Sequence, residues 1–145
     1  MGQQQLLLIV LGIIIVGIAI AVGVTTFRSS AVDANRAQVI SDLNNLAAKA
    51  QRFYRTPTSM GGGGQDFNTF AISPLDTGNA NGSYSVTTTQ PSGASYVAGS
   101  TSAISSSAQT VYIVGCGKET GDDGSNNVKA YVTVTPQSIA ATKLN

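Results

Sequence analysis

The 145-residue chain has no histidine and no tryptophan, and Cys116 is its only cysteine. Each absence removes a class of chemistry. Without histidine, neither a Ser-His-Asp triad nor a Cys-His pair can be built. Structural zinc sites ordinarily need four Cys or His ligands, a C-x-x-C-H haem attachment needs two cysteines and a histidine, and one thiol forms no intrachain disulfide. Charge is scarce too. Eight Lys and Arg face seven Asp and Glu, for a net charge of +1. So small a balance leaves no electrostatic footprint for nucleic acid, and no nucleic-acid partner is expected. No acid–base pair and no nucleophile with its base can be assembled, which points away from an enzyme and leaves no cofactor to expect. The length fits one domain with an appendage.

The apolar residues are concentrated at one end. Residues 6–24 hold no charge and no strongly polar side chain, and fourteen of these nineteen are Leu, Ile or Val: Leu6, Leu7, Leu8, Ile9, Val10, Leu11, Ile13, Ile14, Ile15, Val16, Ile18, Ile20, Val22 and Val24. As a helix they extend about 28 Å, close to the hydrocarbon thickness of a bilayer. On insertion scales the fourteen supply about −4 to −8 kcal/mol. A buried helix of a soluble core is the bland alternative, but a chain this short cannot wrap a wholly apolar helix on every side. A cleaved secretory signal is the other. It would carry a basic start and a shorter apolar stretch, whereas residues 1–5 have no basic side chain. Residues 25–56 contain neither proline nor glycine, so one helix is expected to run from the apolar stretch out the other side.

That second half is amphipathic. Val32, Val39, Leu46 and Phe53 recur every seven residues, with Leu43 and Ala50 between them and Ile40, Ala47 and Tyr54 widening the stripe. Asp33, Asp42, Asn44, Asn45, Lys49, Arg52 and Arg55 take the other faces, with the cations crowded where they oppose the helix dipole. Pro57 biases Thr56 away from helical geometry, which predicts an end near Arg55. A two-stranded coiled coil is one reading of the heptad; so wide a stripe suits packing on the chain's own sheet.

Residues 59–64, Ser-Met-Gly-Gly-Gly-Gly, mark a composition break and predict a flexible connection; no Gly-Lys-Ser/Thr follows to make a phosphate loop. Beyond it, hydroxyl residues abound. Strand-like runs stand at residues 84–89, 95–98, 110–115, 128–135 and 139–142. Val128, Ala130, Val132 and Val134 alternate with Lys129, Tyr131 and Thr133, the period of a half-buried strand. The expected fold is α+β: a long N-terminal helix laid on a sheet of three to five mostly antiparallel strands.

A hydrophobic helix that becomes amphipathic, then a glycine-rich loop and a Ser/Thr-rich sheet, resembles the type IV pilin and pseudopilin superfamily, with residues 35–54, Pro57 and the glycines matching the helix end and the start of the αβ-loop. The resemblance implies a division into residues 1–5 as a short leader or polar N-terminus, 6–27 as a transmembrane or filament-core helix, 28–56 as its amphipathic half, 57–83 as the αβ-loop and 84–145 as the sheet domain. It implies an inner-membrane-inserted precursor, cut by a prepilin peptidase between Gly2 and Gln3. Its partners would be copies of itself in a helical homopolymer, the membrane before assembly, and the pilus assembly machinery. The product would be an extracellular filament on the cell surface. Bacterial members carry a Phe at the new N-terminus and a Glu five residues in; here Gln3, Gln4 and Gln5 occupy that region and no carboxylate precedes Asp33.

The alternatives are a minor pseudopilin of a secretion system and a membrane-anchored binding module that never polymerises. Three further features bear on interaction. Gly17 with Ala21, and Ala19 with Gly23, are small residues four apart, the spacing that lets helices pack closely. Glu119, Asp122, Asp123, Asn126 and Asn127 offer oxygen donors but lack EF-hand spacing, and a solvated turn is the expectation. Asn81-Gly82-Ser83 matches a glycosylation acceptor.

Overall fold

The computed structural model describes residues 2–93 and 102–145. Its first element is a single helix, α1 (Gly2–Arg55), 54 residues long and about 80 Å from end to end. It runs without a break through the apolar stretch and the amphipathic half. Pro57 supplies no N–H to continue it. The last carbonyls are taken up locally: the backbone N–H groups of Gly63 and Gln65 donate to Phe53 and Tyr54 at 2.8 Å each, and Thr56 N–H donates to Arg52 at 3.1 Å. A 3-10 turn at Thr58–Met60 starts this wrap. The glycine run, expected as a flexible connection, is therefore the cap of α1. It must be glycine for steric reasons, because a Cβ on Gly63 would lie 1.9 Å from the Asp66 carbonyl oxygen and one on Gly62 2.2 Å from that of Thr56.

Among the described residues four strands follow: β1 (Gly82–Thr87), β2 (Val111–Thr120), β3 (Asn127–Val134) and β4 (Ile139–Lys143). They form one sheet in the order β1-β2-β3-β4, each pair antiparallel. The structure is thus the expected α+β arrangement, a long helix on a small antiparallel sheet. The run at residues 95–98 falls outside the described residues.

The register puts the large inner side chains in line. Tyr84 faces Gly115 and Ala130, Val86 faces Ile113 and Val132, and Val111 faces Val134. These residues, with Val39, Leu43, Leu46, Ala47 and Ala50 of α1 and with Phe67, Phe70, Ile72 and Ile104 of the connecting loops, form the buried core. Phe53 and Tyr54 pack on its edge, their rings 5.4 Å from Phe70 and 4.9 Å from Phe67.

Two features depart from the sequence expectation. β2 continues five residues past Gly115, where glycines read as strand breakers. Here they admit the helix: a Cβ on Gly115 would meet Val39 at 2.8 Å, and one on Gly117 would meet Asn35 at 2.1 Å. In addition, Lys129 and Tyr131, expected to face solvent, are buried, as are Ser85 and Val114 on the same face. Gln90, just beyond β1, donates to the Tyr131 hydroxyl at 3.1 Å.

Candidate functional site

The rear of α1 is consumed by the fold. Val39, Leu43, Leu46 and Ala50 are buried in the core and Phe53 packs against it. Val32, the remaining member of the expected packing set, lies outside that cluster. It lines a shallow recess with Thr120, Gly121 and Asp122 at the turn between β2 and β3.

Polar residues flanking the stripe are committed as well. Asn35, Asp42 and Lys49 stand seven apart, on one side of it. The Asn35 side chain accepts from Lys118 N–H at 3.2 Å and donates to the Asn81 carbonyl at 3.0 Å. Asp42 accepts from the Tyr84 hydroxyl at 2.6 Å, from Asn79 at 2.9 Å, and from Asn81 and Gln38 at 3.3 Å each. Lys49 pairs with Asp76 at 2.6 Å. On the other flank, Arg36 meets Asp33 at 2.8 Å, Asp122 at 3.0 Å and the Asn145 carbonyl at 3.3 Å. Gln51 donates to the Thr135 carbonyl at 2.9 Å. The loop before β1 is thereby fastened to one side of the helix and the segments around β4 to the other.

These contacts set the local ionisation. Burial pushes the Asp42 carboxyl up, but the hydrogen bonds from Tyr84, Asn79, Asn81 and Gln38 outweigh it and hold it below its ordinary value. Burial, with the Asp42 carboxylate beside it, pushes the Tyr84 phenol up. The groove beside this network holds about 620 Å³; Asp42, Tyr84 and Asn79, and the Lys49–Asp76 pair, line part of it, and Asn45, Arg52 and Leu75 line the rest. Asn81, the glycosylation acceptor of the sequence motif, turns its amide onto Asp42.

The acidic turn is tied down in the same way. Asp122 pairs with Lys143 and Arg36, and the hydrogen bond from Lys143 first, then that from Arg36, holds its carboxyl below the usual range. Asp123 is lowered to about 2, by the Asn126 side chain first and then by the backbone N–H groups of Asn126 and Ser125. Among the described residues no three His, Cys, Asp or Glu side chains gather as a metal would require.

The front of α1 is the opposite case. All fourteen Leu, Ile and Val residues between 6 and 24 are 51–71% exposed, and Phe27 is 76% exposed. A Cβ added at Gly12, Gly17 or Gly23 would have no atom within 4 Å, and Ala19 and Ala21 are likewise exposed. Gly2 opens the helix and Gln3 follows in its first turn. The helix is long and apolar enough to cross a membrane. This bare surface far exceeds the isolated apolar patches of ordinary soluble proteins, and chemically it can do one thing, which is to adhere to other apolar matter.

The pairing of front and stripe was legible from hydropathy alone. The Asn35–Asp42–Lys49 seam was not, although its heptad spacing is a signal that places the three on one line. Comparisons with family models, with curated proteins and with solved structures return no match.

Proposed function

We propose that this chain is the structural subunit of an extracellular type IV pilus-like filament, held in the membrane as a precursor and polymerised through its N-terminal apolar helix. The observation that carries this reading is the contrast along one unbroken helix. Its rear completes the core of the sheet domain, whereas its front touches nothing. A front that adds nothing to the fold is there for another surface. In water it forfeits about 4 to 8 kcal/mol relative to lipid, so on leaving the bilayer it must pass directly to an equivalent apolar surface. Copies of the same helix supply one. The open positions at Gly17 and Gly23, each four residues from an alanine, let a neighbouring backbone approach closely.

Such contacts are head-to-tail and heterologous, and a rotation that does not close yields a fibre. The sheet domain would form the outer coat. Maturation by a prepilin peptidase between Gly2 and Gln3 would free the N-terminus within the first helical turn, where backbone N–H groups have no intrahelical partner in any case.

The test is to express the full chain, shear the cell surface, image the material and sequence its main component from the N-terminus. Fibres of a single subunit beginning at Gln3 support the reading. Stable detergent monomers that never assemble would instead identify a membrane-anchored module, and low copy number with lost secretion on deletion a pseudopilin.

A further inference from the structure

The segment joining the apolar front to the sheet domain is very short, and that has a consequence for the membrane-held subunit. The hydroxyls of Thr25 and Thr26 both donate back to the Val22 carbonyl at 2.9 Å. Satisfied within the helix, they can sit at the edge of hydrocarbon without an unpaired polar group. Phe27 follows, exposed, and the first charge is Arg28. The apolar wall therefore extends to Phe27, and residues 6–27 measure about 33 Å as a helix, enough for the roughly 30 Å hydrocarbon core.

The turn between β2 and β3 reaches down to this same level. Gly121 and Asp122 share a recess of about 260 Å³ with Thr25, Arg28 and Ser29. Glu119 and Thr120 share a second with Phe27, Arg28 and Ala31. One headgroup layer is about 5–8 Å thick, three to five residues of helix. The turn thus falls within it, with no stalk between.

The tip is built for a polar environment. Residues 121–126 read Gly-Asp-Asp-Gly-Ser-Asn, without one apolar side chain. It is also stiff. Gly121 N–H donates to the Asn126 carbonyl at 2.7 Å, Asp123 accepts from the Ser125 and Asn126 N–H groups at 3.1 and 2.9 Å, and Asp122 is held by Arg36 and Lys143. With no glycine or proline between residues 25 and 56, the helix offers no hinge that would lift the domain away.

We propose that, in the membrane-held subunit, the β2–β3 turn rests in the phospholipid headgroup layer beside Phe27 and Arg28, so that the sheet domain is seated directly on the membrane surface. Arg28 contacts lipid phosphate, Phe27 marks the hydrocarbon boundary, and the turn displaces interfacial water. This inference rests on the membrane-inserted half of the function proposed above.

Because the chain has no tryptophan, single tryptophans report depth cleanly. The full chain would be reconstituted in phosphatidylcholine–phosphatidylglycerol vesicles as Ile14→Trp, Ser125→Trp or Leu75→Trp, with nitroxide quenchers carried either on the lipid headgroup or deep in the acyl chains. Leu75 is 90% exposed and lines the groove beside Lys49, some 30 Å farther along the helix than Arg28. The expected result is loss of Ser125→Trp fluorescence to the headgroup quencher, loss of Ile14→Trp fluorescence to the deep quencher, and no loss for Leu75→Trp. If Ile14→Trp is quenched from the deep position while Ser125→Trp behaves like Leu75→Trp, the seated turn is refuted and the membrane insertion stands. If Ile14→Trp escapes the deep quencher, insertion itself fails and the seated turn with it.

Discussion

Replacing Ile15 by aspartate separates the two halves of α1 experimentally. Ile15 is 58% exposed, near the middle of the apolar run, and belongs to no part of the buried core. On insertion scales the change replaces a residue worth about −0.5 kcal/mol by one costing about 2.5–3.5 kcal/mol at mid-membrane, a loss of about 3–4 kcal/mol. Against a total of about −4 to −8 kcal/mol, that lowers the insertion equilibrium roughly a hundred- to thousandfold. The sheet domain should not register it, since a surface substitution far from the core changes stability by about 0.5 kcal/mol or less. Leu43→Ala is the mirror image: Leu43 is 0% exposed, so truncation should cost the domain about 2–5 kcal/mol and leave insertion unchanged. Vesicle flotation reads the first quantity and thermal unfolding followed by near-ultraviolet circular dichroism the second. An Ile15→Asp chain that floats like the parent, or that unfolds as early as Leu43→Ala, would refute the reasoning that the front serves lipid and the rear serves the fold.

Other predictions follow from single contacts. The folded Asp42 carboxyl is held below its ordinary value of 3.8, so its contribution to stability is complete above that pH and is lost as pH falls through the lower folded value; an acid titration of the unfolding midpoint should show a shallower decline for Asp42→Asn than for the parent. Gly115→Ala should destabilise the domain by about 1–3 kcal/mol in denaturant unfolding, because the new Cβ must displace buried Val39 and a Tyr84 ring whose hydroxyl is fixed by Asp42. Gly17→Leu should leave vesicle binding and unfolding intact and reduce fibre yield in sheared fractions, since it obstructs only the close approach of a second helix.

Much of this architecture is written in the chain's periodicities. The apolar run and the heptad of Val39, Leu46 and Phe53 locate both halves of α1, and Pro57 its end at Arg55. The alternation of Val128, Ala130, Val132 and Val134 finds the inner face of β3. What escapes pattern reading is tertiary. Gly115 and Gly117 look like strand breakers until a helix lies against them, and the glycines at 62–64 look like slack until they are seen to close over the end of α1. Tyr131 and Lys129 follow the expected alternation, but both are buried, and Gln90 donates to the Tyr131 hydroxyl on a face that a simple two-layer fold would leave wet. Asp42 reads as a solvated helix residue because its partners in the loop of Asn79 and Asn81 are distant in sequence, as is Lys118 from Asn35. For the front of α1 the balance is reversed. The fourteen apolar residues of the front were evident from hydropathy, since nothing tertiary modifies them.

The most direct test is electron cryomicroscopy of fibres sheared from cells that express the full chain, with the subunit traced from its own density. The account predicts a central bundle of parallel helices in which Leu6, Ile14 and Val22 are packed against neighbouring copies and shut off from water, with the sheets outside. Fibres whose axis lacks these residues, or a dispersed detergent-free monomer with the front bare to water, would contradict it.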